Sequence, residues 1–232
     1  MTGAHFPLDC DLALLGGGGH GRVLMATVEL LGGWFVAVND PKLMAGGGPA
    51  GVPVLGDDEL LKQCPVDRVL LVNGVGSAGL PEARADLFWR WHARGYRFAT
   101  IVHPSAVVAK GAELGEGAQA MAGAVIQNDV RVGPNCLVNT RASIDHDCVL
   151  GDTVHLAPGV TLSGGVRIGD RSHLGTGACV IQGVRIGQRC MIGAGAVVVG
   201  DLPDGSRVAP GAVAGERPDA SPKGATTKEA AR

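Results

Sequence analysis

From Val108 to Val198 an aliphatic residue stands at every sixth position, and a small residue stands two places before each, from Ala106 to Ala196. Neither the 3.6-residue period of a helix nor the two-residue alternation of a strand gives that pattern. A coil of short flat strands does, because each hexad sends one residue inward. Each hexad is then one side of a prism, and eighteen residues make a coil. Gly115, Gly133, Gly151, Gly169 and Gly187 recur at that interval. They predict one corner per coil where the backbone turns with positive φ, which glycine adopts without a side-chain clash. At the strand spacing of about 4.8 Å, a little over five coils make a column on the order of 25 Å tall. The pattern carries no hand of its own.

The first hundred residues follow a different rhythm. Asp11 to Leu15 is a short apolar strand, Gly16-Gly17-Gly18-Gly19-His20-Gly21 a turn, and Arg22 to Leu31 a helical stretch. Trp34 to Val38 reads as a second strand ending in Asn39-Asp40, Asp57 to Gln63 as a short helix, and Arg68 to Val72 as a third strand ending in Asn73-Gly74. Pro81 to Arg94 is an amphipathic helix, and Arg97 to Val102 a last strand leading through His103-Pro104 into the coils. Strands alternating with helices predict a small open, Rossmann-like α/β domain. The expected division is 1–103 for that domain, 104–215 for the β-helix and 216–232 for a disordered tail without hydrophobic period.

Gly16, Gly18 and Gly21 satisfy G-x-G-x-x-G, with Asp40 about twenty residues on. Four consecutive glycines meet that pattern easily, and a hundred residues supply one mononucleotide-binding half rather than two. A sugar nucleotide is therefore favoured over a dinucleotide. The glycine turn and first helical turn offer N–H groups to a diphosphate, and Asp40 at a strand end suits ribose or base. The competing reading is a tight turn in a purely structural domain.

Composition narrows the picture. Hydrophobic residues make up 46%, aromatic residues only 3%, and there are 38 glycines, so the interior is a lattice of small aliphatic side chains. A net charge of -2 gives no field to gather nucleic acid or acidic lipid, so neither partner is expected. The start of the chain lacks a leader pattern, no stretch approaches a bilayer span, and a cytoplasmic protein is expected. The six cysteines contain no C-x-x-C pair and are expected as free thiols, with Cys136, Cys148 and Cys190 packed in the small inward column.

A strand with G-G-G-G-H-G, a small α/β domain, H-P-S-A, and then unbroken hexads carrying N-T-R-A-S-I-D-H-D-C together resemble a known family over about residues 11–214. It is that of the bacterial sugar acetyltransferases, which includes sialic acid O-acetyltransferases and nucleotide-4-aminosugar N-acetyltransferases of surface polysaccharide biosynthesis. The resemblance implies a left-handed β-helix and a homotrimer. It implies acetyl-CoA in the groove between neighbouring β-helices, no metal, and a sugar nucleotide held by the amino-terminal domain. By motif, His146 takes the place of the catalytic base and Asp147 that of the acid beside it. His155, Thr176 and Ala194 fall where the family meets the cofactor. Gly18, Gly19, His20, Asn39, Asp40 and Gly74 fall where it contacts the sugar nucleotide. Asn39 stands where an aspartate can stand, and the closing G-x-P-A-K is degraded to Gly211-Ala212-Val213-Ala214-Gly215.

The residues themselves suit that chemistry. An amine or hydroxyl loses a proton as it attacks a thioester, and an imidazole accepts it near neutral pH. His146 lies two residues past inward-facing Ile144, at an exposed corner. Asp147 or Asp145 can bond the other ring nitrogen. Gly164, one coil on, can offer its amide to the oxyanion. No serine or cysteine has a nucleophile signature, so direct transfer is expected. His155 and His173 should stack about 4.8 Å apart on adjacent coils. His146 lies half a coil from His155, so the two are expected to share a site only across a subunit border. Rival readings are a metal-dependent β-helix hydratase using three histidines, a sugar-nucleotide sensor without catalysis, and O-acetylation of a sialic-acid-type sugar.

Overall fold

The apolar runs of the first hundred residues pair as one parallel sheet. In the computed structural model, which describes residues 11–43 and 47–216, β1 (Asp11–Leu15), β2 (Phe35–Asn39), β3 (Val69–Asn73) and β4 (Arg97–Phe98) stand in the order β2-β1-β3-β4. Leu12, Leu14 and Val72 pack with Leu24 and Val28 of α1 (Gly19–Leu30). Ala13, Leu15 and Leu71 cluster instead with Leu60 of α2 (Asp57–Gln63) and with Phe88 and Trp91 of α3 (Glu82–His92). Burial on both faces explains why these strands read as unbroken apolar runs rather than alternations. α1 begins three residues earlier than expected, inside the glycine run, with Gly18 as its extended N-cap.

The strand expected over 97–102 is two strands in two sheets. Ala99 N–H donates to Leu71 O, but Ile101 N–H donates to Ala118 O. The chain therefore changes sheets across Ala99–Thr100, and β5 (Ile101–Val102) is the first rung of the second region.

That region is a left-handed parallel β-helix of two-residue strands, paired at eighteen-residue intervals up to Val197–Val198, after which Met191 pairs with Arg207 and Val197 with Val213. The first of its three sheets has seven strands, among them β5, Gln119–Ala120, Leu137–Val138, His155–Leu156 and His173–Leu174. The second has seven, from Val107–Val108 to Val213–Ala214, and the third five, from Glu113–Leu114 to Arg185–Ile186. The second residue of each strand points inward, and with the small column it forms a single core. Cys136, Cys148 and Cys190 lie in that core, and every described cysteine is free. Two rungs, Arg207–Val208 and Val213–Ala214, continue past the end of the hexad pattern, so Gly211 to Gly215 surrounds the last of them.

The corner predicted from glycine spacing is misplaced by two residues. Gly115, Gly133, Gly151, Gly169 and Gly187 are absent from the positive-φ positions, which fall at every sixth residue from Gly117 to Gly195. Asp129, Asn135, Arg141, Asp147, Thr153, Arg171 and Arg189 are the non-glycine residues of that series. The eighteen-residue glycines serve close stacking instead. A Cβ on Gly115 would lie 2.6 Å from Pro134 N, and one on Gly169 2.5 Å from Gln188 N, where the next coil's backbone passes.

The three outer faces differ. Met121 and Leu137 of the first pack against Leu24 and Val28 of α1, so the α/β region covers that face. The third carries Glu113, Arg131, Arg167 and Arg185 outward. The second carries Val107, Val125, Ser143, Thr161, Cys179, Val197 and Val213, with no charge among them. Residues 1–10 and 217–232 lie outside the described residues, and with them the readings of the chain's start, Cys10 and nearly all of the tail.

Candidate active site

The strand order reverses direction at β1, and in open parallel sheets a crevice forms at the carboxyl ends beside such a point. A cavity of about 1080 Å³ lies there, lined by Gly16, Gly18, Gly19, His20, Asn39, Asp40, Gly74 and Ser77 among others. All six residues assigned to a sugar nucleotide by resemblance, Gly18, Gly19, His20, Asn39, Asp40 and Gly74, line this one space. The glycines divide by cause. A Cβ on Gly74 would lie 2.9 Å from Leu14 Cδ1 and 3.1 Å from Leu15 O, so the fold requires glycine there. Gly18 and Gly19 have nothing within 4 Å of a Cβ position, so the space beside them is cavity. No side chain caps the start of α1, and its first N–H groups remain available to an anion.

Asp40 ties the glycine turn to the end of β2. Its Oδ2 accepts from Gly17 N–H at 2.8 Å and its Oδ1 from Lys42 N–H at 2.9 Å. Asn39 donates through Nδ2 to Leu55 O and to Asp57 Oδ1, both at 3.0 Å. This accounts for the departure at position 39. An aspartate there would set two carboxylates against each other, whereas the amide supplies Asp57 with a donor.

The wall toward the β-helix is polar and buried. His20 Nε2 lies 2.8 Å from Gln119 Oε1, and Gln119 Nε2 donates to Asn73 O at 2.9 Å. Arg84 of α3 is fully buried, with Nε donating to Asn135 O and Nη1 to Asn73 O and Val75 O, each at 3.0 Å. It thereby pins the loop after β3 to the second coil. Burial lowers the Arg84 pKa to about 10. Burial first, and Arg84 second, push His20 down to about 4.

His155 and His173 pair across adjacent rungs with ring centroids 4.7 Å apart, as their spacing predicted. Both are buried, and Ser77 Oγ lies 2.6 Å from His155 Nδ1. Burial, then His173, Arg84 and His20, hold His155 down to about 2; burial lowers His173 as well.

His146 has the opposite setting. It stands in the turn between the second and third sheets, more than half exposed, with Nδ1 2.7 Å from Asp147 Oδ2. Asp147 occupies the left-handed corner at φ 61°, and Asp145 Oδ1 accepts from His146 N–H at 2.8 Å. Of the two flanking acids, Asp147 therefore meets the ring and Asp145 the backbone. The hydrogen bond that the ring donates to Asp147, then the charge of Asp145, raise the His146 pKa above the ordinary histidine value. A Cβ on Gly164 would fall 2.6 Å from His146 Cε1, so glycine there leaves room for the ring.

Thr176 and Ala194 are exposed and share the corner between the first and second sheets, one coil apart. His146 and Gly164 share the next corner, between the second and third sheets, while His155 lies on the first sheet. No single chain brings these three groups together. Sequence reasoning missed Ser77, Arg84 and Gln119, because a lone serine in a loop and polar residues in helix and coil read as surface until the two regions meet.

Among the described residues no group of three or more His, Cys, Asp or Glu could hold a metal ion, and no helix is long and apolar enough to cross a membrane. Residues 165–200 match the family described as bacterial transferase hexapeptide (six repeats). The chain is 36% identical to the acetyltransferase domain of PglB from Neisseria gonorrhoeae FA1090, covering 86% of this chain and 96% of that one with a TM-score of 0.79. That domain is also known in complex with acetyl coenzyme A. PerB from Caulobacter crescentus, in complex with CoA and GDP-perosamine, is 38% identical over 86% of this chain and 93% of that one, with a TM-score of 0.78. WeeI from Acinetobacter baumannii AYE, at 23% identity over 85% and 95% of the two chains and a TM-score of 0.71, shares the fold. Likeness of this extent runs through both regions of the molecule, and the chain belongs to the hexapeptide-repeat bacterial sugar acetyltransferases.

Proposed function

We propose that this acetyltransferase moves the acetyl group of acetyl-CoA to the amino group of a nucleotide-linked aminosugar, a UDP- or GDP-4-amino-deoxysugar, with His146 as general base. The observation that carries the reading is the exposed His146–Asp147 pair, 2.7 Å apart, beside a glycine that clears space for the ring. The free ring nitrogen takes the amine proton as the C–N bond to the acyl carbon forms. The C–S bond then breaks, and the proton passes to the departing CoA sulfur. Asp147 orients the ring and stabilises the imidazolium. The Gly164 N–H, which donates to no acceptor among the described residues, faces the oxyanion.

The amino-terminal sheet is read as a Rossmann-like domain whose cavity holds the sugar nucleotide. The relatives known with CoA, acetyl-CoA and GDP-perosamine support both ligands. His155, buried with its ring nitrogens meeting Ser77 and Asn139, is left to positioning, and the exposed Thr176 and Ala194 are assigned to acetyl-CoA. Since one chain separates them from His146 by a face of the prism, the active site is assembled from neighbouring copies in a homotrimer. The uncharged second sheet, with Val107 60% and Val213 70% exposed, supports that assembly, because burying such a face strands no charge. The division between the two regions is read at Ala99–Thr100 rather than at 103/104, because β5 (Ile101–Val102) already pairs with Gln119–Ala120 of the β-helix.

Thiol release is followed with acetyl-CoA and a panel of UDP-, GDP- and dTDP-linked 4-amino and 3-amino sugars, plus free sialic acid. Turnover of a 4-amino sugar nucleotide is expected, and turnover of sialic acid alone would replace N- by O-acetylation. Mixed His146→Ala and Ala194→Trp proteins, the second blocking the cofactor corner, should regain activity on reassembly; a mixture that stays inactive removes the shared site.

A further inference from the structure

His20 on the cavity wall and the buried His155 behind Ser77 have their tautomers fixed through amides held by backbone groups, and the consequence falls on that serine. Gln119 Nε2 donates to the carbonyl of Asn73, so its Oε1 faces His20, and His20 must carry its proton on Nε2. Asn139 Oδ1 accepts from Thr140 N–H at 2.8 Å, which turns Asn139 Nδ2 toward His155 Nε2, 3.4 Å away. His155 Nε2 is then an acceptor, and the His155 proton sits on Nδ1, directed at Ser77 Oγ 2.6 Å away. Both ring nitrogens of His155 are spent inside its own chain. Ser77 accepts from His155, and its own hydroxyl proton is left to point elsewhere. Its other neighbour, His173 Nδ1, is at 3.5 Å, the limit of a hydrogen bond.

Ser77 is half-buried and lines the same cavity as Gly18, Gly19 and Asp40. It stands at the end nearest the β-helix, whereas the glycine turn and Asp40 stand at the other strand ends. Resting on the sugar-nucleotide reading above and going beyond it, we infer that Ser77 is the specificity-determining donor to an acceptor oxygen on the sugar. His155 is a positioning residue that acts through Ser77 and touches no ligand with its ring nitrogens. Burial and the Arg84 charge keep the relay neutral, so its polarity does not reverse near neutral pH.

The test has two arms on the full chain. Long-range proton–nitrogen spectra of the imidazoles, assigned with His155→Gln, should show His155 with its proton on Nδ1 and unchanged between pH 5 and 8. An Nε2 proton, or titration in that range, overturns the inference. In binding experiments with the panel member the unaltered chain binds best, Ser77→Ala should raise Kd about tenfold, the worth of one hydrogen bond. The Kd for acetyl-CoA should stay put, and KM for the sugar nucleotide should rise with kcat within twofold. Ser77→Ala/His155→Gln should be no weaker than the worse single variant. Additive losses, or a loss on the acetyl-CoA side, would assign His155 or Ser77 a different contact and overturn the inference. If the unaltered chain binds no sugar nucleotide at all, the function reading falls, and the spectra still decide the relay.

Discussion

His146 stands at a corner in solvent with a carboxylate against its ring, whereas His155 and His173, half a coil and more away on the same β-helix, lie buried beneath the α/β region, His155 within reach of the buried Arg84 charge. One environment raises proton affinity and the other removes it. The contrast shows how a single repeating scaffold separates a proton acceptor from fixed hydrogen-bonding groups. The corner keeps solvation and gains Asp147, while the covered face loses solvation and gains Arg84. Histidine identity alone assigns no role; the face it occupies does.

The strongest way to break that contrast is at the corner. His146→Ala should lower kcat by on the order of 10²–10⁴ while leaving the sugar-nucleotide Kd nearly unchanged, measured by thiol release and calorimetry. A rate equal to the unaltered chain's would transfer the base role elsewhere. Gly164→Ala tests whether the ring needs its space, because the new methyl would displace it. A kcat loss of roughly 10² is expected with thermal stability nearly unchanged, and an unaffected kcat would show that the ring works from another position.

The covered face is sharpened by acid. An unfolded chain takes up a proton on histidine near about 6.5, but His20 in the folded chain does so only near about 4. Between those values the unfolded state holds more protons, so stability should fall as pH drops through the window, by roughly 3 kcal/mol for His20 alone. Urea midpoints at two pH values should diverge less for His20→Gln than for the unaltered chain. Equal divergence would mean that His20 titrates normally. The smallest effect is expected from Asp147→Asn. Since Asp147 holds His146 above its ordinary pKa, and only the neutral ring accepts a proton, the acid limb of kcat/KM should move to lower pH in the variant. A limb that stays in place would detach Asp147 from the base.

The column of inward residues from Val108 to Val198 was legible because one rule, an apolar side chain at each sixth place, is enforced by a core with no slack. The stacking of His155 on His173 followed from the same arithmetic. The corners were not legible from glycine, because seven of them use other residues in the left-handed conformation and the glycine column marks tight stacking instead. The pattern over 97–102 could not reveal which sheet each half joins, since apolar alternation specifies burial and not the partner. Ser77 and Arg84 acquire meaning only through contacts 78 and 51 residues away, which no local pattern records.

The passage from one sheet to the next across Ala99–Thr100 has a mechanical corollary. Phe98 N–H is held by Glu116 and the Thr100 hydroxyl by Gly115 O, so neighbouring residues are anchored on either side of the crossing. A joint fastened this way leaves no hinge about which the halves could swing like jaws. The two regions are therefore expected to keep one relative placement as ligands come and go.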